Sequence, residues 1–108
     1  MTRIQYPSPA PTRHHFAALP QAHIEVVQHD DGRWMWAISF YTADGGEGYA
    51  ALPKWARFAP TEGAARAAGI AELRERLARR TWAGKPQALA LMAWLDALDA
   101  PVQGAVFR

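Results

Sequence analysis

Residues 23–41 read HIEVVQHDDGRWMWAISFY, and the way this stretch turns back on itself decides the fold. Ile24 and Val26 alternate with polar neighbours, and Trp34, Trp36, Ile38 and Phe40 then share the same parity. Period two marks a strand with one apolar face, because successive side chains point to opposite sides of a sheet. Two strands are expected, and the turn between them sets their register. A two-residue loop at Asp31-Gly32 would pair Asp30 with Arg33 and set even residues against odd ones. A three-residue loop, Asp30-Asp31-Gly32, pairs His29 with Arg33, Val26 with Trp36 and Ile24 with Ile38. A type I turn with glycine in the left-handed region, closing in a G1 bulge, wants this sequence. A one-residue slip would turn every apolar side chain to the wrong face, so the three-residue loop is the expected one.

Working outward, TADGGE (42–47) is a second hairpin signal and leads to GYAAL (48–52). A loop at Asp44-Gly45-Gly46 would set Phe40 opposite Ala50, Ile38 opposite Leu52 and Tyr41 opposite Tyr49. Pro53 lacks an N–H, so the third strand is expected to be an edge strand that ends there. TEGAARAAGIAELRERLARR (61–80) then reads as a helix, with Thr61 as its N-cap and Ile70, Leu73 and Leu77 on one face. Glu62–Arg66, Glu72–Arg76 and Glu75–Arg79 are i, i+4 pairs on the opposite face. WAGKP (82–86) stops it, and a second helix runs from Pro86 to about Ala100. Leu91, Trp94, Leu95 and Leu98 form its main face, with Leu89 and Met92 off it. VQGAVFR (102–108) is either a short strand or an ordered tail.

The first twenty residues form a Pro-rich arm, with Pro7, Pro9 and Pro11 at alternate positions favouring extended backbone. The domain organisation is thus an arm, 1–20, and one domain, 21–108. Its fold class is α+β: an antiparallel three-stranded meander with one packed helix and a second C-terminal helix.

The chain has 108 residues, half of them apolar, which suffices for one packed core. No cysteine is present, so disulfides, Cys-based zinc sites and thiol nucleophiles are excluded. The first twenty residues lack an apolar h-region and ALALMAWL (88–95) is too short to span a bilayer, so a cytoplasmic protein without membrane contact is expected. Ten arginines against two lysines, with abundant alanine, point to a high-GC bacterial genome. Charge is segregated: residues 21–53 carry −4, five acids against Arg33, and residues 54–85 carry +5, eight bases against three glutamates. The basic segment is where an anionic partner would be sought.

No nucleophile elbow, P-loop, zinc-protease or dinucleotide motif occurs, so neither an enzyme nor a cofactor is expected. His23 and His29 would lie near 20 Å apart along a strand at about 3.3 Å per residue, so no metal site is expected either. The even face of the second strand could stack bases, but Ile24, Val26, Leu52 and the helix stripe share that side, which makes it core. The odd face holds Met35, Tyr41 and Tyr49 with polar residues interleaved. Either the second helix or the arm covers it, or a partner does. A protein interface, with a second copy as one form of it, is expected at Met35, Tyr41, Tyr49, Leu89 and Met92. KWARF (54–58) is the best nucleic-acid signal, with Lys54 and Arg57 alternating with Trp55 and Phe58 ahead of a helix N-terminus. Its structural alternative, rings capping the core with solvated bases between them, is the one favoured.

Gly32-Arg33-Trp34, Gly46, Glu47-Gly48-Tyr49 and Ala68-Gly69-Ile70 together resemble the small bacterial YegP-like family, and the β-β-β-α order is similar to double-stranded-RNA-binding domains. The resemblance covers about residues 32–73. It implies the fold. RNA-binding members carry a lysine cluster where this chain has Thr61-Glu62-Gly63. The functional expectation is a non-enzymatic accessory module acting through protein contacts, with weak nucleic-acid binding through residues 53–60 as the alternative.

Overall fold

The structure, a computed structural model, describes residues 2–9, 21–42, 45–79 and 82–99. Its strands are β1 (Arg3–Pro7), β2 (Gln21–Gln28), β3 (Trp34–Thr42), β4 (Gly45–Gly48) and β5 (Phe58–Ala59), and its helices are α1 (Glu62–Leu77) and α2 (Pro86–Asp99). The layout is α+β with an antiparallel sheet and two helices, as expected. Strand order is β1-β2-β3-β4, with β5 pairing β3 beside β4.

The central hairpin has the expected register. Val26 faces Trp36 and Ile24 faces Ile38. His29 N–H donates to the Arg33 carbonyl at 2.7 Å, and Gly32 sits at φ +92°, where only glycine is free of strain. Parity then places the core: Ile24, Val26, Ile38 and Phe40 are buried together with Ala65, Ile70, Leu73 and Leu77 of α1 and Leu91 and Leu95 of α2. Both helices therefore serve the even face. Thr61 Oγ1 accepts the Ala64 N–H at 3.0 Å, the expected cap.

Three expectations are corrected. The sheet is wider than a three-stranded meander, because Arg3–Pro7, read as part of an arm, pairs with β2. Ile4 and Tyr6 face the helices, while Arg3 and Gln5 face the other way, so this segment alternates like any strand. Second, β4 is Gly45–Gly48 rather than 48–52, with Thr42 opposite Gly45 and Phe40 opposite Glu47. Gly46, expected in the turn, lies inside the strand with Gly48, and neither position has room for a side chain: a Cβ on Gly46 would stand 2.2 Å from the Phe40 carbonyl oxygen, and one on Gly48 2.5 Å from the Ser39 Cβ. Third, Trp82, taken for part of a helix stop, is core. It is buried edge-on against Phe40 at 5.3 Å. The reading of 102–108 lies outside the described residues.

Candidate functional site

The KWARF segment is divided by the fold. Pro53–Trp55 make one turn of 3-10 helix, and Ala56 follows at φ 55°, ψ 31° with its N–H on the Pro53 carbonyl. Lys54 and Trp55 stay on the surface, the ammonium 5.0 Å above a ring that is 43% exposed. Arg57 turns inward and donates to Glu72 at 3.0 and 3.4 Å. Phe58 lies in β5 on the odd face beside Met35, with the Arg33 guanidinium 3.8 Å over its ring. The four expected nucleic-acid contacts do not form one surface.

Glu72 is the hub that divides them. Its carboxylate also accepts the Tyr49 hydroxyl at 2.6 Å and the Trp36 indole N–H at 3.0 Å, and pairs with Arg76 at 2.9 Å. Burial alone would raise its pKa, but the bonds from Tyr49, Arg57 and Trp36 and the charge of Arg57 hold it below the ordinary value. Tyr49 is pushed up by burial and by donating to this carboxylate. Arg57 and Arg76 flank its ring at 4.6 and 5.5 Å.

The arginines of α1 are similarly occupied. Arg74 bridges to Asp96 at 2.8 Å and Asp99 at 3.1 Å, which accounts for two acids near the end of α2. Arg76 also reaches Glu47 at 3.0 Å, and Arg66 lies over the Tyr6 ring at 5.6 Å. Of the three expected i, i+4 pairs, Glu72–Arg76 forms, whereas Glu62 accepts the Tyr6 hydroxyl and Arg79 reaches toward Glu47 at 3.9 Å. Among the described residues Arg57, Arg74 and Arg76 are thus each paired with carboxylates, on α1, on α2 or at Glu47, which leaves less cationic surface for phosphates than the charge count implies.

The odd face of the sheet carries neither helix, and its two halves differ. At the hairpin end Val27, Met35 and Ala37 are buried, Met35 to 4% exposure. Phe58 and its neighbours His29 and Arg33 close this end. Arg3 reaches across to Glu25, which also accepts from Gln5 at 3.5 Å. At the other end His23, Ser39 and Tyr41 line two adjoining open depressions, one shared with Glu25, Gly46 and Gly48 and the other with Gln5 and Gln21. Ser39 Oγ and His23 Nδ1 share a hydrogen bond at 2.9 Å. Glu25, two residues along β2, is held by Arg3 and Gln5 instead, so these groups form a cross-strand pair and not a relay. Tyr41 is 56% exposed and its ring leans over Gly46.

Of the expected interface residues, Tyr41 and Leu89 (55% exposed) are accessible. Met35 is buried, Tyr49 is held by Glu72, and Met92 packs half-buried against the core. The sequence reading named neither the His23–Ser39 pair nor the glycine floor as part of a site. The first follows from the hairpin register, which sets 23 opposite 39. The second was hidden by the misplaced β4. Among the described residues no group of three acids or histidines could hold a metal, and no helix is long and apolar enough to cross a membrane. Comparison with family models, curated proteins and solved structures gives no significant match.

Proposed function

We propose that the protein is a non-enzymatic interaction module that works through protein contacts on the face of its sheet that neither helix covers. The observation that carries this reading is the open half of that face, where Tyr41 stands exposed above small residues while the other half is closed by the chain's own side chains. An exposed, nearly rigid aromatic with a polar surround is the usual anchor of a protein interface. The charged side chains are spent on holding the fold: Glu72 takes five donor groups, and Arg74 and Arg76 each bridge two acids.

A photo-crosslinking residue at position 41, introduced in cells, tests this. Discrete protein adducts are expected, and adducts of twice the chain mass identify a second copy as the partner. Adducts with nucleic acid, obtained from position 55 and not from 41, would overturn the reading in favour of binding through the 53–60 loop.

A further inference from the structure

We infer that the outer edge of β4 takes an extended peptide from a partner protein as an added strand, with a large side chain, an acidic one and a large one at successive positions. The inference rests on the protein-contact reading and names the partner's chemistry.

The donors come first. Tyr49 N–H donates to the Ile38 carbonyl at 3.2 Å, so residues 45, 47 and 49 bond toward β3. By antiparallel alternation the N–H and C=O groups of Gly46 and Gly48 point away from the sheet. Both glycines are exposed, and among the described residues no strand lies beyond β4. Native edges are commonly blunted by proline, by charged side chains or by brevity. The opposite edge, β1, shows the first two in Pro7 and exposed Arg3. Strand β4 is short but otherwise bare: it reads GGEG, and Glu47 is turned to the helix side, where Arg76 and the Trp82 indole hold it at 3.0 and 3.3 Å.

The side-chain pattern follows from what flanks that edge. Residues paired with Gly46 and Gly48 would project onto the odd face, where the missing Cβ atoms leave a step beside Tyr41, Ser39 and His23. Large side chains fill that step and pack on Tyr41. The residue between them would project onto the helix side, opposite Glu47. There Arg57, Arg76 and Arg79 face Glu47 and Glu72, one positive charge in excess. Arg79 is half exposed and reaches Glu47 only at 3.9 Å, so it is the guanidinium left for an acidic residue. A second copy's β4 fits badly: it would set glycine against glycine and leave the step beside Tyr41 unfilled. A foreign peptide meets both requirements, in the manner of strand addition elsewhere.

Three end-blocked peptides test this against the full chain by NMR: Thr-Tyr-Glu-Tyr-Thr, the same with Lys for Glu, and the first N-methylated at both tyrosines. The first should shift the Gly46 and Gly48 amide signals and slow their hydrogen exchange about tenfold or more. The N-methylated and Lys peptides should bind at least about tenfold more weakly, and Arg79→Glu should reverse the preference between Glu and Lys. Unprotected glycine amides at roughly millimolar peptide, or undiminished binding after N-methylation, would overturn the inference. If the peptide moves only the Tyr41, Ser39 and His23 signals, strand addition fails while the protein-contact reading stands. That reading fails separately, on absence of protein adducts from position 41.

Discussion

Helix α1 is strapped to both edges of the sheet by the same three residue types, and the two straps are unequal. At its first turn Tyr6 of β1 donates its hydroxyl to Glu62, and Arg66, four residues on, lies over the tyrosine ring. Ten residues later Tyr49, just beyond β4, donates to Glu72, with Arg76 over its ring. The second strap gains Arg57 and the Trp36 indole on the same carboxylate, and Arg76 carries it on to Glu47 and Trp82. Among the described residues the first has no such extension, and the Arg66 Nε is buried without a hydrogen-bond partner there, as is that of Arg76. What differs is the number of groups stranded when one is lost. A carboxylate that satisfies several buried donors is costly to remove because each is left desolvated.

The largest expected effect is therefore at Glu72. Replacing it with Ala strands Tyr49, Trp36 and Arg57 at once, leaves Arg76 with Glu47 alone, and should cost about 3 kcal/mol, read from the urea midpoint. Glu62→Ala should cost about 1 kcal/mol. Equal losses would break the distinction between the straps. The Glu72 pKa is depressed in the fold, so its contribution is complete above the unfolded value of about 4.3 and fades as pH falls through the folded value. Glu72→Gln should accordingly flatten the loss of stability below about pH 4.3. An acid limb as steep as the wild type's would remove Glu72 from the account.

The tyrosines give the next comparison, since each change to Phe deletes one hydroxyl and keeps the ring. Tyr49→Phe should cost about 1.5–2 kcal/mol and Tyr6→Phe about 0.5–1 kcal/mol. In alkali the sign reverses from that of a carboxylate. The Tyr6 pKa is pushed up to about 12 by burial and by its bond to Glu62, and that of Tyr49 is raised too. Their contributions are complete below the unfolded tyrosine value of about 10 and are lost as pH rises through the folded ones. In an absorbance titration, Tyr6→Phe should delete a phenolate step near pH 12.

Parts of this were legible in the sequence, and the limits have physical causes. The β2–β3 register could be read because Asp-Asp-Gly and the parity of Trp34, Trp36, Ile38 and Phe40 agree on one pairing. The β4 register could not. Glycines required by close approach to Tyr41 and Ser39 look identical, in one dimension, to glycines required by a turn. Strand β1 was hidden by the alternating prolines that begin at its last residue, although Ile4 and Tyr6 show its period. The i, i+4 spacing of Glu72 and Arg76 was visible, but the tyrosine partners lie 56 and 23 residues from their glutamates. No local pattern reports contacts at such separations. For the same reason the charge asymmetry of the two segments invited an anionic partner, when much of the compensation is internal.

Arg74 supplies the smallest effect and sets the floor for the comparison. It joins α1 to α2 through Asp96 and Asp99, and its pKa is raised chiefly by the bond to Asp96, opposed by some burial. Yet both acids are well exposed, so the pairs gain little over water and are screened by salt. Helix α2 is held instead by Ala88, Leu91 and Leu95, all buried. Arg74→Ala should cost about 0.5 kcal/mol or less in dilute buffer and vanish at about 1 M salt, where the screening length is near 3 Å. A larger, salt-independent loss would place Arg74 with the Glu72 network rather than below the Tyr6 strap. The ordering would then follow the number of bonds each group makes, whether or not its loss strands a desolvated partner.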